Sequence, residues 1–144
     1  MHAAQLCSRG VDTVSAEDSV LVAAQRMHDH VVGSLVVLRG KEPVGIVTDR
    51  DLAVRVVAQG RNPAEVTVQE VMSQPLVTVS PEDSLLEVTR VMAQTPCRRL
   101  VVISPEGDMV GVISLDDVWN HVAQVLWGCH GVLEAERPSA LAKK

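Results

Sequence analysis

The chain has 144 residues and a formal net charge of −5, with 13 Lys and Arg against 18 Asp and Glu. Nucleic acid is held by clustered Lys and Arg that neutralise phosphates, so this balance argues against it as a partner. No apolar run approaches the roughly 20 residues that cross a bilayer, and Met1 to Cys7 lacks the basic start and apolar stretch of a signal peptide. No membrane partner and a cytoplasmic location are the expectations.

The chain has no Phe or Tyr, and its aromatics are Trp119 and Trp127. The core must therefore be aliphatic, and a flat ligand would sit between aliphatic side chains. Cys7, Cys97 and Cys129 form an odd set with no disulfide or zinc spacing. Packed, reduced thiols and no metal site are expected.

In chain order, a short extended piece near Val11–Val14 comes first. Asp18 and Ser19 are N-cap candidates for a helix with apolar residues at Val20, Ala23, Ala24, Met27 and Val31, ended by Gly33. Ser34-Leu35-Val36-Val37-Leu38 reads as a buried strand, 39–43 as a turn, and Val44-Gly45-Ile46-Val47 as a second strand. A helix then runs from Thr48 through Leu52, Val56 and Val57 to Gly60. The connector 61–73 holds a short helix at Gln69–Met72. The order then returns: extended Leu76–Val79, a helix from Ser84 with Glu87 completing a capping box, and strands Leu100–Ile103 and Val110–Ile113. A helix from Leu115 carries Val118, Val122, Val125 and Leu126 on one face.

This return is an internal repeat. Thr13-Val14-Ser15-Ala16-Glu17-Asp18-Ser19 recurs as Thr78-Val79-Ser80-Pro81-Glu82-Asp83-Ser84, a shift of 65, and the register holds through Leu35-Val36-Val37 against Leu100-Val101-Val102. Two copies predict a pseudo-symmetric pair with two related clefts along its seam. The expected units are a first repeat at 5–60, a connector at 61–73, a second repeat at 74–127, and a partly mobile C-terminal tail at 128–144.

Two segments coincide in position and chemistry: Gly45-Ile46-Val47-Thr48-Asp49-Arg50-Asp51 and Gly111-Val112-Ile113-Ser114-Leu115-Asp116-Asp117. A hydroxyl followed three residues later by an acid is a capping box, which stabilises a helix start with no ligand present. The same geometry suits a nucleotide. A helix start favours phosphate, and a carboxylate accepts from two vicinal ribose hydroxyls. Recurrence at equivalent positions favours the second use.

The repeat length, the element order, the opening Val79-Ser80-Pro81-Glu82-Asp83-Ser84-Leu85 and the ending Gly111-Val112-Ile113-Ser114-x-x-Asp117 resemble tandem cystathionine β-synthase (CBS) domains, the pair called a Bateman module. The resemblance covers about residues 5 to 126 and is of the small stand-alone type. It implies an α/β (α+β) fold of two β-α-β-β-α repeats packed sheet to sheet, and a regulatory binding module with no catalytic residues and no required cofactor. The regulatory ligand it implies is an adenosyl compound: AMP, ADP, ATP or S-adenosylmethionine. Carried over, one cleft would use Thr48, Arg50 and Asp51 with Leu76, Val77, Cys97, Arg98 and Arg99. The other would use Ser114, Asp116 and Asp117 with Cys7, Val11, Asp12, Val32 and Gly33.

Divergence between the copies predicts unequal clefts. Arg50 of the first copy stands where the second has Asp116, and Arg98-Arg99 of the second stand where the first has Gly33-Ser34. A phosphate gains charge-assisted hydrogen bonds beside the arginines and meets repulsion beside Asp116 and Asp117, so a nucleotide should prefer the Thr48/Asp51 cleft. Trp119 and Trp127 lie eight residues apart on the last helix and suggest self-association, which agrees with the dimers common in the family. An effector protein of unknown identity would read the bound state. The alternative is a ligand-free interaction or stress-response scaffold acting as a homodimer. A catalytic role finds no support, because no Cys or Ser is tied to a positioned His.

Overall fold

In the computed structural model, which describes residues 1–136, the order is α1 (Ala3–Leu6), β1 (Thr13–Ser15), α2 (Val20–His30), β2 (Ser34–Arg39), β3 (Glu42–Thr48) and α3 (Asp49–Leu52). A π-helical turn, Ala53–Val57, continues α3. Then come α4 (Val68–Val71), β4 (Thr78–Val79), α5 (Leu85–Gln94), β5 (Arg99–Ile103), β6 (Met109–Ser114) and α6 (Leu115–Glu136).

The strands form two three-stranded sheets, β1-β2-β3 and β4-β5-β6, each with one parallel and one antiparallel pairing. Even their irregularities repeat: the register shifts between Val37 and Leu38 in one hairpin and between Val102 and Ile103 in the other. Successive strand residues face opposite sides. Leu35, Val37 and Val47 therefore join the core under α2, while Leu100, Val102 and Ile113 join the equivalent core under α5. Val36, Ile46 and Val101 point the other way and meet in a third cluster with Val112 and Ile103, which is the sheet-to-sheet seam. Both faces of each sheet are buried, which is why the strands read as unbroken apolar runs rather than alternating ones.

Serines start the two main helices. Ser19 accepts from Val22 N at 3.3 Å and Ser84 from Glu87 N at 3.2 Å. The expected box at Ser84 is only half made, since the Glu87 carboxylate turns to Arg90 at 2.7 Å. Nor does Gly33 end α2: the helix stops at His30, and Val31 takes the left-handed cap with φ 55.

Two segments depart from the expected boundaries. The connector is not a spacer, because Val66, Val68, Val71 and Met72 are buried in the first core. Its helix α4 starts on a box in which Thr67 N donates to Glu70 Oε2 at 2.7 Å. The short helix α1 belongs to the second core, where Ala3 is buried. The two docking ladders mirror one another: Ala3 N donates to Asp83 O at 2.9 Å and Val68 N donates to Asp18 O at 2.9 Å. Each repeat's opening helix thus completes the core of the other repeat.

Helix α6 runs on through Gly128 and Gly131 to Glu136, where a tail was expected. A helical glycine costs only about 1 kcal/mol, and the surrounding Val, Leu, Ala and Glu residues outweigh it. The rest of that expected tail, 137–144, lies outside the described residues. No helix among the described residues is long and apolar enough to cross a membrane.

Candidate functional site

Each sheet ends at the seam with the hydroxyl–Asp segment, and a strap from the opening helix lies across it. Ser8 N donates to Val112 O at 2.9 Å and Val112 N to Ser8 O at 3.1 Å; Ser73 and Ile46 exchange the same pair at 2.8 and 3.3 Å. Gly111 and Gly45 permit these straps. A Cβ at Gly111 would lie 2.6 Å from Ser8 O, and one at Gly45 would lie 2.8 Å from Ser73 O. The motif glycines are there for close backbone approach.

Both motifs form reciprocal capping pairs. Thr48 N donates to Asp51 Oδ2 at 2.9 Å, and Asp51 N donates to Thr48 Oγ1 at 3.2 Å. Ser114 N and Ser114 Oγ donate to Asp117 Oδ2 at 2.7 and 2.6 Å, and Asp117 N donates to Ser114 Oγ at 3.2 Å. The caps leave one oxygen of each carboxylate over. Asp51 Oδ1 lies 3.5 Å from an Arg55 guanidinium nitrogen, whereas Asp117 Oδ1 has no partner among the described residues. A carboxylate has about four acceptor sites, so capping does not exhaust either residue.

Two cavities open beside these carboxylates. The first, about 340 Å³, brings together Thr48, Arg50, Asp51, Cys97, Arg98 and Arg99, with Asp49, Ser73, Pro96 and Ile46. The second, about 250 Å³, brings together Ser114, Asp117, Val11, Asp12, Val32 and Gly33, with Ser8, Ser34, Val36, Val112 and others. These volumes suit a small molecule, near or just below the usual lower bound of about 300 Å³ for ligand pockets. The first carries Arg50, Arg98 and Arg99 against two carboxylates, Asp49 and Asp51. The second carries Arg99 alone against Asp12 and Asp117, and is walled by more valines.

Four of the expected residues lie elsewhere. Leu76 packs on the seam cluster and Val77 against the second core. Cys7 sits behind Gly111, also against the second core, and burial pushes its thiol pKa up, which leaves it a packed thiol. Asp116 faces outward, with one oxygen 3.5 Å from Arg98. Such an exposed pair is worth at most about 1 kcal/mol, so it holds Arg98 only loosely. Within the second cavity Asp12 is held by His30 Nδ1. Ser8 and Ser73 were missed, although their shift of 65 in the sequence marks them as equivalent.

The fold and its paired clefts define a tandem-repeat α/β module with two related binding-sized cavities at the seam. The CBS domain profile matches residues 3–58 and 68–118, and the chain belongs to the CBS domain family, whose pairs serve as regulatory modules in many proteins. It is 36% identical over 115 residues to an uncharacterized protein of Methanopyrus kandleri, covering 79% of this chain and 59% of that one. The chain thus spans somewhat more than half of that relative. It is 39% identical over 108 residues to the CBS domain-containing protein YhcV of Bacillus subtilis, covering 75% of this chain and 76% of that one. Among solved structures, a putative signal-transduction protein with CBS domains from Burkholderia ambifaria superposes with a TM-score of 0.79 at 32% identity, covering 85% of this chain and 93% of that one. A hexameric CBS-CP12 protein from bloom-forming cyanobacteria superposes at 0.75 with 32% identity, covering 83% and 69%.

Proposed function

We propose that this protein is a regulatory sensor that binds an adenosyl ligand, AMP, ADP or ATP, in the cleft of Thr48, Arg50 and Asp51. The observation that carries this reading is the pairing of a ribose-competent carboxylate with three guanidinium groups in one cavity. Asp51 would accept from the ribose hydroxyls, and Arg50, Arg98 and Arg99 would hold phosphate. The second cleft offers Asp117 Oδ1 and valine walls but one arginine, and suits a less charged adenosyl compound. AMP at 100 times its Kd should stabilise the fold by about 2.7 kcal/mol, a rise in melting temperature of roughly 5–10 °C. Differential scanning fluorimetry against a panel of adenosyl compounds reads this directly. No shift with any of them would overturn the reading.

Helix α6 favours self-association as part of the same reading. Leu115, Val118, Val122, Val125, Cys129 and Val132 recur at alternating spacings of three and four, with Trp119, Leu126 and Leu133 alongside. Leu115 and Val118 are taken up by the second core, and the rest of the stripe favours a helix–helix seam, since Val125 is 51% exposed and Leu126 64%. Were the clefts empty in use, this helix would carry the scaffold function. The wild type should sediment as a dimer at micromolar concentration, and Leu126→Glu as a monomer with the same circular dichroism. A monomeric wild type would remove this part of the proposal.

A further inference from the structure

Among the described residues, Arg99 is the one cation that lines both cavities. It opens β5 at the seam, half-buried, and among the described residues its guanidinium has no hydrogen bond or ion pair. Its equivalent in the first repeat is Ser34, which lines only the second cavity. The repeat symmetry is therefore broken at one place that touches both sites. The two cavities also differ in what they hold besides Arg99. The first has Arg50 and Arg98, while the second has, among the described residues, no other lining Lys or Arg and two carboxylates, Asp12 and Asp117.

From this we infer that Arg99 is a shared counter-ion that makes the two clefts compete for anionic ligands. The inference rests on the reading of the clefts as adenosyl sites and adds their regulation. A phosphate entering the first cleft recruits Arg99 to join Arg50 and Arg98, because a charge-assisted hydrogen bond is roughly twice as strong as a neutral one. The second cleft then faces its next ligand with Asp117 and the His30-held Asp12, and with no other lining Lys or Arg among the described residues. A phosphate-bearing ligand there meets net repulsion. An uncharged adenosine, which needs only the Asp117 carboxylate and the valine walls, does not. The module would thereby report charge state: a nucleotide in one cleft, and a nucleoside-like compound tolerated in the other. Coupling between sites of this kind commonly amounts to about 5- to 150-fold in affinity.

Arg99→Gln tests this without threatening the fold, since the side chain it replaces has no partner among the described residues to lose. The probes are AMP and adenosine, titrated calorimetrically into wild type and variant. With AMP the wild type should give two events differing at least about tenfold in Kd. Arg99→Gln should weaken the first event about tenfold and leave the second unchanged, because the second ligand never had Arg99. Adenosine should bind wild type and variant alike. If the substitution weakens both AMP events, Arg99 bridges the ligands rather than dividing them, and the competition is overturned. If it weakens only the second, Arg99 belongs to that cleft alone, which also overturns it. Absence of AMP binding to the wild type would instead bring down the adenosyl reading, and the coupling with it.

Discussion

Gly111→Ala is expected to destabilise the protein by about 1–3 kcal/mol, the usual range for an atom forced into filled space. The new Cβ would lie 2.6 Å from Ser8 O and 2.7 Å from Cys7 Sγ. A carbonyl oxygen on a bonded strap cannot swing aside as a flexible side-chain tip can. The strap must lift, which strains the Ser8–Val112 hydrogen bonds and the seat of α1 in the second core. Gly45→Ala should cost less. There one of the two nearest atoms is Met72 Sδ, at 2.8 Å, a pliant thioether, although Ser73 O is as close. Gly128→Ala supplies the control: nothing lies within 4 Å of its Cβ, so the better helix propensity of Ala should stabilise by up to about 1 kcal/mol. Urea denaturation reads all three as midpoint changes at constant slope. A Gly111→Ala midpoint equal to wild type would show that the strap is not packed as described.

The cost at Gly111 also reaches the site, because Ser8 lines the second cleft and Ser73 the first. Strap, glycine and hydroxyl–Asp pair form one unit that occurs twice. That unit explains what could be read from the sequence and what could not. The strands and main helices were legible because a buried sheet needs continuous β-branched runs, and the hydroxyl–Asp pairs because they recur. Helix α1 was not: its four residues carry no periodicity, and Ala3-Ala4-Gln5-Leu6 matches Val68-Gln69-Glu70-Val71 only by position. Leu76 and Val77 were assigned to a cleft wall, yet they face the seam cluster and the second core. Side-chain direction in an extended segment changes with every residue, and nothing in the sequence fixes the register ahead of β4. The reach of Arg99 into both cavities depends on the seam itself, which exists only once the two sheets face each other.

Replacing the two motif aspartates should separate the clefts. Asp51→Ala is expected to weaken AMP binding about 10- to 100-fold, and Asp117→Ala to leave the tight event within about threefold of wild type. A hydrogen bond to a charged group is worth about 1.5–3 kcal/mol, and Asp51 supplies the carboxylate beside the arginine cluster. The structure sets two effects against each other here. Asp117 Oδ1 has no partner among the described residues, whereas Asp51 Oδ1 is near Arg55 at 3.5 Å, so the ribose contact alone would favour the second cleft. Arg55 does not close off Asp51, because its guanidinium also donates to Val71 O at 2.6 Å and is partly exposed. Phosphate decides the balance: three guanidinium groups against one outweigh a single better-placed acceptor. The order should therefore reverse for adenosine, which has no phosphate, and Asp117→Ala should become the more damaging change. Each variant also loses a cap worth about 1 kcal/mol, so the titrations belong well below the melting temperature. Equal losses of AMP affinity in both variants would show that charge does not rank the clefts.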